Sequence, residues 1–549
     1  MEALQIICPL CSDPVDKLLY RYHLDSERNV LEKIKLHNPG WTENDGACGR
    51  CIDYYHTEVI MQQRVLPEIG PHFPVRSVDD FIILPTGLRL DADQRFTGKG
   101  ITICFIDSDF YVHPDLFAHR NRIKKIIDIA GVTIANDEVI PQNSAWHGTM
   151  TSVVCAGDGF CSKGLYKGIA SDAELVLLKV QDANGRITTA NIVKALAWVI
   201  AHHKEYRIRI VNMSLGGDEV VSYKESEIDK LAEQLVVEGV VMVAAAGNDE
   251  HGMIRPPANS PAVITVGGAD DENNLQTLPA KLYHSAYGTT IDELAKPELL
   301  AHAIWIAAPI LPGTKEQKES ETLHYLSGLR DEELVAEFTV QQKSAGLADL
   351  TLENHDPVLL RQSIISRIQA CKFISPYYMH VDGTSFAAPI VSAVIAQLLE
   401  INPQLTPAMT REILFSTAKR IEHLPAERQG FGLIRPRNAI LKVLKREMTA
   451  SHGESPRINI HSKTIEFYVQ HDCATQVSLA GTFNNWVKDA LLLEAGKDGV
   501  WKIEIPLLPA GRYHYKFFVN DTAWLEDVNN PYREPDGFNG FNSILVINN

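Results

Sequence analysis

The chain has 549 residues, of which 45% are hydrophobic and 22% are charged, and its formal net charge is −17. This length predicts two to four domains, and the acidic excess argues against a nucleic-acid-binding surface, which needs a basic footprint. No uninterrupted apolar run is long enough to span a membrane, and we see no secretory signal. We therefore expect neither a nucleic-acid nor a membrane partner.

The cysteines indicate the compartment in which the chain folds. There are nine of them, an odd number, and Cys104 and Cys155 lie within apolar strand or helix patterns. Buried single thiols fit a reducing environment better than a disulfide framework. We predict a cytoplasmic protein.

The N-terminal region, residues 1–78, is charged and irregular and carries two CxxC pairs, "CPLC" and "CGRC". Two thiolates at this spacing can bind one side of a tetrahedral Zn²⁺, whereas free redox-active thiols are the alternative. The pairs resemble zinc-ribbon knuckles, and this resemblance implies a structural zinc bound by all four thiolates. The four predicted ligands are Cys8, Cys11, Cys48 and Cys51.

Residues 79–449 alternate between apolar strands and amphipathic helices. "ITICFID" (101–107) and "AELVLLKV" (173–180) are typical of buried strands, and "TTANIVKALAWVIAHH" (188–203) has helical periodicity. This alternation predicts an α/β domain with a doubly wound, mostly parallel sheet. Ligands of such sheets bind beyond the carboxyl ends of the strands.

Four polar residues stand where predicted strands end or helices begin. Asp107 ends the strand "TICFID", His147 begins "HGTMTSVVCAG", Asn248 lies in "AAAGND", and Ser385 begins a helix within "VDGTSFAAPIV". A serine hydroxyl becomes a nucleophile when an imidazole accepts its proton and a carboxylate orients that imidazole. A helix N-terminus and an amide donor can stabilise the oxyanion that develops.

The order Asp, His, Ser along the chain is that of subtilisin. "IDS" with "HPDL", "HGT", "VNMSLGG", "AAAGN" and "GTSFAAPIVSAVIA" resemble the subtilisin family of serine proteases, over about residues 80–445. The resemblance implies that Asp107 is the orienting acid, His147 the general base, Ser385 the nucleophile and Asn248 the oxyanion donor.

The same resemblance implies a substrate-binding segment. Ser214, Leu215 and Gly216 of "SLGG" would form an edge strand that pairs with an extended peptide. Asp249 and Glu250 follow the oxyanion asparagine, near the primary specificity pocket of the family. An acidic wall there would favour a basic or polar residue before the scissile bond; an exposed loop end is the alternative.

Two features depart from the family. Asp109 stands where a glycine is usual, and it would perturb the His147 environment, bind a cation, or simply be a solvated turn residue. A charged helical insertion at about 313–378 precedes the nucleophile, where the family has a short connection. Such an insertion is either a lid or substrate platform, or a peripheral addition.

After a polar linker (450–457), residues 458–549 show short alternating strands separated by turns, which predicts a β-sandwich. "VSLAGTFNNWVKDALLL" and "GRYHYKFFVNDTAWLEDVNNP" resemble the glycogen-binding early-set module of AMP-activated kinase β subunits. The resemblance implies glucan binding; a protein-contact surface is the alternative. The implied glucan-binding residues are Trp486, Lys516, Trp524 and Asn542.

Together these features predict a cytoplasmic serine endopeptidase that acts on protein or peptide substrates. Its N-terminal zinc knuckle and its glucan- or protein-binding sandwich would localise or regulate it. The alternative is a conditionally active or silent protease-fold scaffold that is targeted to glycogen or to a protein partner. The sequence does not determine whether Ca²⁺ also binds.

Overall fold

The computed structural model describes residues 6–15, 18–19, 24–62, 83–131, 143–275, 281–348, 356–445, 455–459, 462–471, 474–496 and 499–547. The predicted boundary between residues 78 and 79 lies outside these residues, as do residues 450–454 of the predicted linker and 349–355 of the predicted insertion. The described residues fall into an N-terminal region (6–62), a central domain (83–445) and a sandwich domain (455–547).

The N-terminal region combines a short hairpin with two helices that pack on one another. Its elements are β1 (Ile6–Ile7), β2 (Pro14–Val15), α1 (Leu24–His37) and α2 (Gly49–Gln62). Its small apolar core includes Val30, Leu31, Ile34 and Trp41. A core of this size is too small to stabilise a folded region on its own. In regions of this size a bound metal ion commonly supplies the missing stability.

The central domain alternates strands and helices along the chain. Its first half contains α3 (Thr86–Arg89), β3 (Thr102–Asp107), α4 (Pro114–Phe117), β4 (Ile123–Asp128), α5 (Trp146–Ala156), β5 (Glu174–Lys179), α6 (Thr189–Tyr206), β6 (Ile208–Met213), α7 (Glu227–Val237), β7 (Val241–Ala245) and β8 (Ile264–Asp270). Its second half contains β9 (Lys281–Leu282), β10 (Gly288–Thr289), β11 (Ala295–Lys296), β12 (Leu299–His302), β13 (Ile306–Pro309), α8 (Lys315–Ser327), α9 (Asp331–Gln341), α10 (Pro357–Ala370), β14 (Phe373–Ser375), β15 (Tyr378–Val381), α11 (Thr384–Ile401), α12 (Pro407–Thr417) and α13 (Pro436–Leu444).

Among the described residues, the main sheet has the strand order β12-β8-β7-β6-β3-β5-β4, all parallel, with β9 antiparallel to β8. Because side chains alternate along a strand, Ile103 and Phe105 of β3 join the core beneath α5 and α11, whereas Cys104 and Ile106 join the core beneath α6 and α7. Helices therefore cover both faces of the sheet. The predicted doubly wound, mostly parallel α/β fold is confirmed.

Helix α11 is the most apolar element at the centre of the fold. It has 18 residues with a mean hydropathy of 1.6, which by length and composition alone would suit a membrane span, but 83% of these residues are buried inside the protein. A helix that is apolar all round can be buried in the core of a large domain. Here α11 packs against α5, α13 and the central strands.

The predicted insertion contains α8, α9 and α10. They enclose a core of their own, which includes Leu323, Leu334, Phe338 and Ile364. The chain then returns through β14 and β15 to the start of α11. This arrangement attaches the three helices to the segment that leads to Ser385.

The sandwich domain consists of two antiparallel sheets, as predicted. Its strands are β16 (Arg457–Asn459), β17 (Thr464–Gln470), β18 (Val477–Gly481), β19 (Glu494–Ala495), β20 (Val500–Pro506), β21 (Gly511–Val519), β22 (Ala523–Leu525), β23 (Arg533–Pro535) and β24 (Phe541–Ile547). One sheet has the order β16-β17-β20-β19 and the other β18-β21-β24-β23, with β22 on β21. The inward side chains of β17, β18, β20 and β21 form the core between the sheets.

Both terminal parts contact the central domain. Arg50, between the second pair of cysteines, donates hydrogen bonds of 3.0–3.1 Å to the carbonyl groups that end α13. On the sandwich side, Arg512 pairs with Glu293 at 2.5 Å, and the Asn539 amide donates to the Glu422 carbonyl at 2.7 Å. The positive charge of Arg50 at the C-terminus of α13 also complements the dipole of that helix.

Candidate active site

Asp107 and His147 form a hydrogen-bonded pair at the carboxyl end of β3. Asp107 is 1% exposed, and its Oδ1 lies 2.7 Å from His147 Nδ1. The same carboxylate accepts hydrogen bonds from the Ser108 N–H at 2.7 Å and the Thr151 hydroxyl at 3.1 Å. With Nδ1 directed at the carboxylate, Nε2 is the ring atom that can accept a proton.

The position of His147 depends on the glycine that follows it. A Cβ at Gly148 would lie 2.4 Å from the Asp109 carbonyl oxygen and 3.0 Å from the Asp107 Cβ. Real Cβ atoms do not approach so closely, so a glycine lets α5 begin directly against the end of β3. Burial lowers the pKa of His147, but the charge and hydrogen bond of Asp107 outweigh burial and raise that pKa above its ordinary value.

Ser385 lies in the first turn of α11, beside this pair. Gly383, immediately before the helix, has φ of +136°, a conformation that favours glycine. The Ser385 hydroxyl donates to the Ser214 carbonyl at 3.3 Å, and the ring of Phe386 lies 6.1 Å from the His147 ring, centroid to centroid. The structure thus brings the predicted aspartate, histidine and serine to one edge of the sheet.

Asn248 contacts the same helix start. Its Oδ1 accepts hydrogen bonds from the Thr384 N–H at 2.9 Å and the Thr384 hydroxyl at 2.8 Å. This network assigns Nδ2 to the side of Gly383, where an added Cβ would lie 3.4 Å from it. Within the described residues Nδ2 donates no hydrogen bond, so it is available to an oxyanion held at the N-terminus of α11.

The predicted substrate segment follows β6. The Ser214 hydroxyl donates to the Ser385 carbonyl at 2.7 Å, which fixes the segment to α11. Gly217 N–H donates to the Pro256 carbonyl at 2.8 Å. In the part of the chain that the structure describes, the backbone groups of Leu215 and Gly216 form no hydrogen bond, so they can pair with an extended peptide.

The two acidic residues after Asn248, Asp249 and Glu250, present less unpaired negative charge than their sequence suggests. Asp249 is exposed and accepts a hydrogen bond from the His251 N–H at 3.0 Å within its own turn. Glu250 pairs with Arg428 at 3.1 Å. Among the described residues, Glu250 therefore has a cationic partner, whereas Asp249 has none.

Asp109 is buried, so its interpretation as a solvated turn residue is wrong. Its Oδ2 accepts a hydrogen bond from the Ser144 hydroxyl at 2.6 Å and lies 3.3 Å from the Lys179 ammonium. Lys179 also approaches Asp128 at 3.4 Å. Sequence reasoning missed Lys179. The available signal was its place at the end of a buried strand, because a buried ammonium group requires a carboxylate partner.

A second residue that sequence reasoning missed is Trp146. Its side chain packs edge-on against His147, with the ring centroids 5.2 Å apart, and the residue is 49% exposed. A large, half-exposed aromatic beside the imidazole can contact the substrate. Its position immediately before "HGT" was the available signal.

The four predicted cysteine ligands lie together. The Cys8 and Cys51 sulfurs are 4.0 Å apart, the Cys11 and Cys48 sulfurs are 3.8 Å apart, and all four lie within 4.8 Å of one another. A tetrahedral ion with Zn–S bonds of about 2.3 Å requires sulfurs about 3.8 Å apart. The four thiols therefore fit a structural zinc ion.

Backbone hydrogen bonding also supports the arrangement of this cluster. The Cys48 N–H donates to the Cys8 sulfur at 3.4 Å. The eight described cysteines are all free of disulfide bonds. The ninth, Cys473, lies outside the described residues.

The four predicted glucan-binding residues line one cavity of about 790 Å³ in the sandwich domain. The rings of Trp486 and Trp524 meet edge to face with their centroids 5.9 Å apart. Lys516 pairs with Asp536 on the wall. Aromatic surfaces together with a few polar groups are the composition of a ligand site of this volume.

Two family models match the chain. The one described as the subtilase family matches residues 98–345 and 358–432, which is more than half of the chain. The one described as the glycogen recognition site of AMP-activated protein kinase matches residues 465–549. The two matches cover separate parts of the sequence.

The chain is also similar to known proteins. It is 27% identical to the serine protease AprX of Bacillus subtilis over 63% of this chain and 67% of AprX. It is 27% identical to the putative subtilase-type proteinase isp6 of Schizosaccharomyces pombe over 54% of this chain and 56% of that protein. Among solved structures, it is similar to sphericase, with a TM-score of 0.41 and 21% identity over 62% of this chain and 92% of sphericase. The chain thus spans between about half and two thirds of the length of these two sequence relatives.

Proposed function

The chain belongs to the subtilase family of serine peptidases, and from this premise we propose that it is an endopeptidase that uses Ser385, His147 and Asp107. The observation that carries the proposal is the 2.7 Å bond between Asp107 and His147 beside the first turn of α11. An imidazole oriented in this way can remove the proton from a serine hydroxyl.

In the acylation step, Ser385 Oγ attacks the carbonyl carbon of the scissile peptide bond, and its proton moves to His147 Nε2. The carbonyl oxygen becomes an oxyanion, to which Asn248 Nδ2 donates. The tetrahedral intermediate then expels the amine, which takes the proton from His147. Asp107 stays ionised and stabilises the imidazolium.

In the deacylation step, water attacks the acyl-enzyme and gives a proton to His147. The second tetrahedral intermediate collapses, Ser385 regains its proton, and the carboxylic acid product leaves. Before substrate binds, the Ser385 hydroxyl donates to Ser214. The hydroxyl must rotate away from this carbonyl to bond the imidazole, a realignment common on substrate binding.

Casein digestion tests this proposal. The wild-type chain should release new N-termini, the Ser385→Ala variant should release none, and a Ser327→Ala variant on the remote helix α8 should behave as wild type. Unchanged digestion by the Ser385→Ala variant would exclude Ser385 as the nucleophile. Circular dichroism of each variant controls for folding.

A conditionally active peptidase is the second candidate. It is favoured by the bond of the Ser385 hydroxyl to the Ser214 carbonyl, which leaves the resting hydroxyl away from its base. Casein cleavage that begins only after glycogen or cell extract is added would support this candidate. Equal cleavage without additions would exclude it.

We further propose that the thiols of Cys8, Cys11, Cys48 and Cys51 bind a structural zinc ion. When bound, the ion would crosslink the hairpin β1–β2 to the start of α2. Elemental analysis should find about one zinc per chain, and the four thiols should resist titration until a chelator is added. Absence of zinc together with four freely titrating thiols would contradict the proposal.

We also propose that the sandwich domain binds an α-glucan and that the protein is cytoplasmic. The first is supported by the two tryptophans and the Lys516–Asp536 pair around one cavity; the second is supported by the free, buried thiols of Cys104 and Cys155. Co-sedimentation with glycogen tests the first, and cell fractionation the second. Recovery of the protein outside the cytoplasm would contradict the second.

A further inference from the structure

The cavity that holds the predicted glucan-binding residues is lined by two domains. Besides residues of the sandwich domain, Arg420 of the central domain lines it. Arg420 follows α12 and belongs to the chain segment that leads to α13. A ligand in the cavity would therefore meet a side chain of the domain that carries Ser385.

The Arg420 side chain is rigidly placed. Its Nε donates to the Gly430 carbonyl at 2.6 Å, its guanidinium lies 5.0 Å from the centroid of the Phe541 ring, and it pairs with Glu526, which also lines the cavity. The side chain is 21% exposed. A guanidinium held in this way presents directed donors at low entropic cost.

The cavity walls match the chemistry of a carbohydrate. Arg420 with Glu526 and Lys516 with Asp536 are two cation–carboxylate pairs, and each pair offers both donors and acceptors to hydroxyl groups. The tryptophan rings offer apolar faces to the C–H faces of sugar rings. Phe538, which also lines the cavity, is 91% exposed.

A direct bond between the domains lies next to this rim. Asn539, which also lines the cavity, donates to the Glu422 carbonyl of the central domain at 2.7 Å. The segment that contains Arg420 and Glu422 is thus held against the cavity from two positions. A longer sugar chain would cross this junction.

We propose that the glucan site is shared by the two domains and that Arg420 of the central domain binds the glucan directly. This inference rests on the proposed glucan binding of the sandwich domain. It makes the ligand a bridge between the sandwich and the segment after α12. A bound glucan would then contact both domains and fix the position of the peptidase domain relative to the sugar chain.

Isothermal titration of the full chain with maltoheptaose tests the inference, in a Ser385→Ala background that prevents self-digestion. Arg420→Ala should raise the Kd about tenfold, the loss expected for one hydrogen bond to a charged group. Arg512→Ala is the matched control, because it removes an interdomain ion pair with Glu293 but does not line the cavity. The Arg512→Ala variant should bind maltoheptaose with the same Kd as the Ser385→Ala background.

Hydrogen exchange gives a readout that does not depend on a substitution. Saturating maltoheptaose should protect backbone amides of residues 419–431 as well as those of the sandwich domain, and cellohexaose should protect neither. Protection confined to the sandwich with unchanged affinity of Arg420→Ala would overturn the inference and leave glucan binding intact. Equal weakening by Arg420→Ala and Arg512→Ala would also overturn it. If the background chain binds no maltoheptaose, the proposed glucan binding itself fails.

Discussion

The contribution of Asp107 can be tested by the Asp107→Asn substitution, which keeps the size of the side chain and removes its charge. Asp107 Oδ1 is bonded by both the Ser108 N–H and His147 Nδ1, so an asparagine oxygen at that position would keep both hydrogen bonds. The amide group would then take the place of Oδ2 beside the Thr151 hydroxyl, which can donate to the Gly148 carbonyl and accept from the amide. The imidazole would keep its proton on Nδ1 but would lose the carboxylate charge that stabilises the imidazolium.

In the serine-protease template, this change lowers kcat by about 10⁴ because the histidine takes the wrong tautomer. Here the productive tautomer is kept, so we expect a smaller loss in kcat, of about 10²–10³. Asp107 is buried and bonds Nδ1 directly at 2.7 Å, and one unit charge about 4 Å from the imidazolium is worth about 4 kcal/mol at an effective dielectric constant of about 20. The assay is kcat and KM on a chromogenic peptide at pH 7–8. Thr151→Val is the control, because it removes one donor to Asp107 and leaves the His147 bond in place; we expect a loss of tenfold or less, the value of about one hydrogen bond.

The pH profile of kcat/KM checks the electrostatic part of this reasoning. Asp107 raises the pKa of His147 against the effect of burial, which lowers it. Activity requires neutral His147, so activity falls as pH drops through that pKa. Without the carboxylate charge, the acid limb of the residual activity should move to lower pH. A variant that keeps more than a tenth of the wild-type kcat, with its acid limb unmoved, would refute the proposed role.

Three further substitutions test separate parts of the site. Asn248→Ala should lower kcat by about 10²–10³ with little change in KM, since it removes one oxyanion donor; a change in KM alone would contradict that role. Gly148→Ala should lower the melting temperature in a thermal scan and abolish casein cleavage, because its Cβ would lie 2.4 Å from the Asp109 carbonyl oxygen; a stable, active variant would show that α5 can shift. Arg428→Ala should free Glu250 and raise, by up to about fivefold, the relative kcat/KM for peptides with a basic residue before the scissile bond; unchanged ranking of basic and apolar peptides would exclude an acidic specificity wall.

The central fold followed from the sequence because its signals are local. Continuous apolar runs such as residues 103–106 are typical of a sheet covered on both faces, and the helices between the strands show clear periodicity. The convergence of Asp107, His147 and Ser385 could be expected because parallel strands end at one edge of a sheet. Small residues around Ser385 gave the same indication.

The features that sequence reasoning missed depend on contacts between distant segments. Asp109 looked like a turn residue until Lys179, seventy positions later, proved to lie beside it. Arg420 carries no motif, and its place in the glucan cavity depends on how the sandwich domain packs on the central domain. Long-range pairing of this kind leaves no periodicity in the sequence.

The most direct test of the account is the reaction of the full chain with a fluorophosphonate, followed by mapping of the adduct by peptide mass spectrometry. We predict one phosphonylated residue, Ser385, at near-stoichiometric yield, and loss of the adduct in a folded His147→Ala variant. Modification at another serine, or equal labelling of Ser385 without the imidazole, would contradict it.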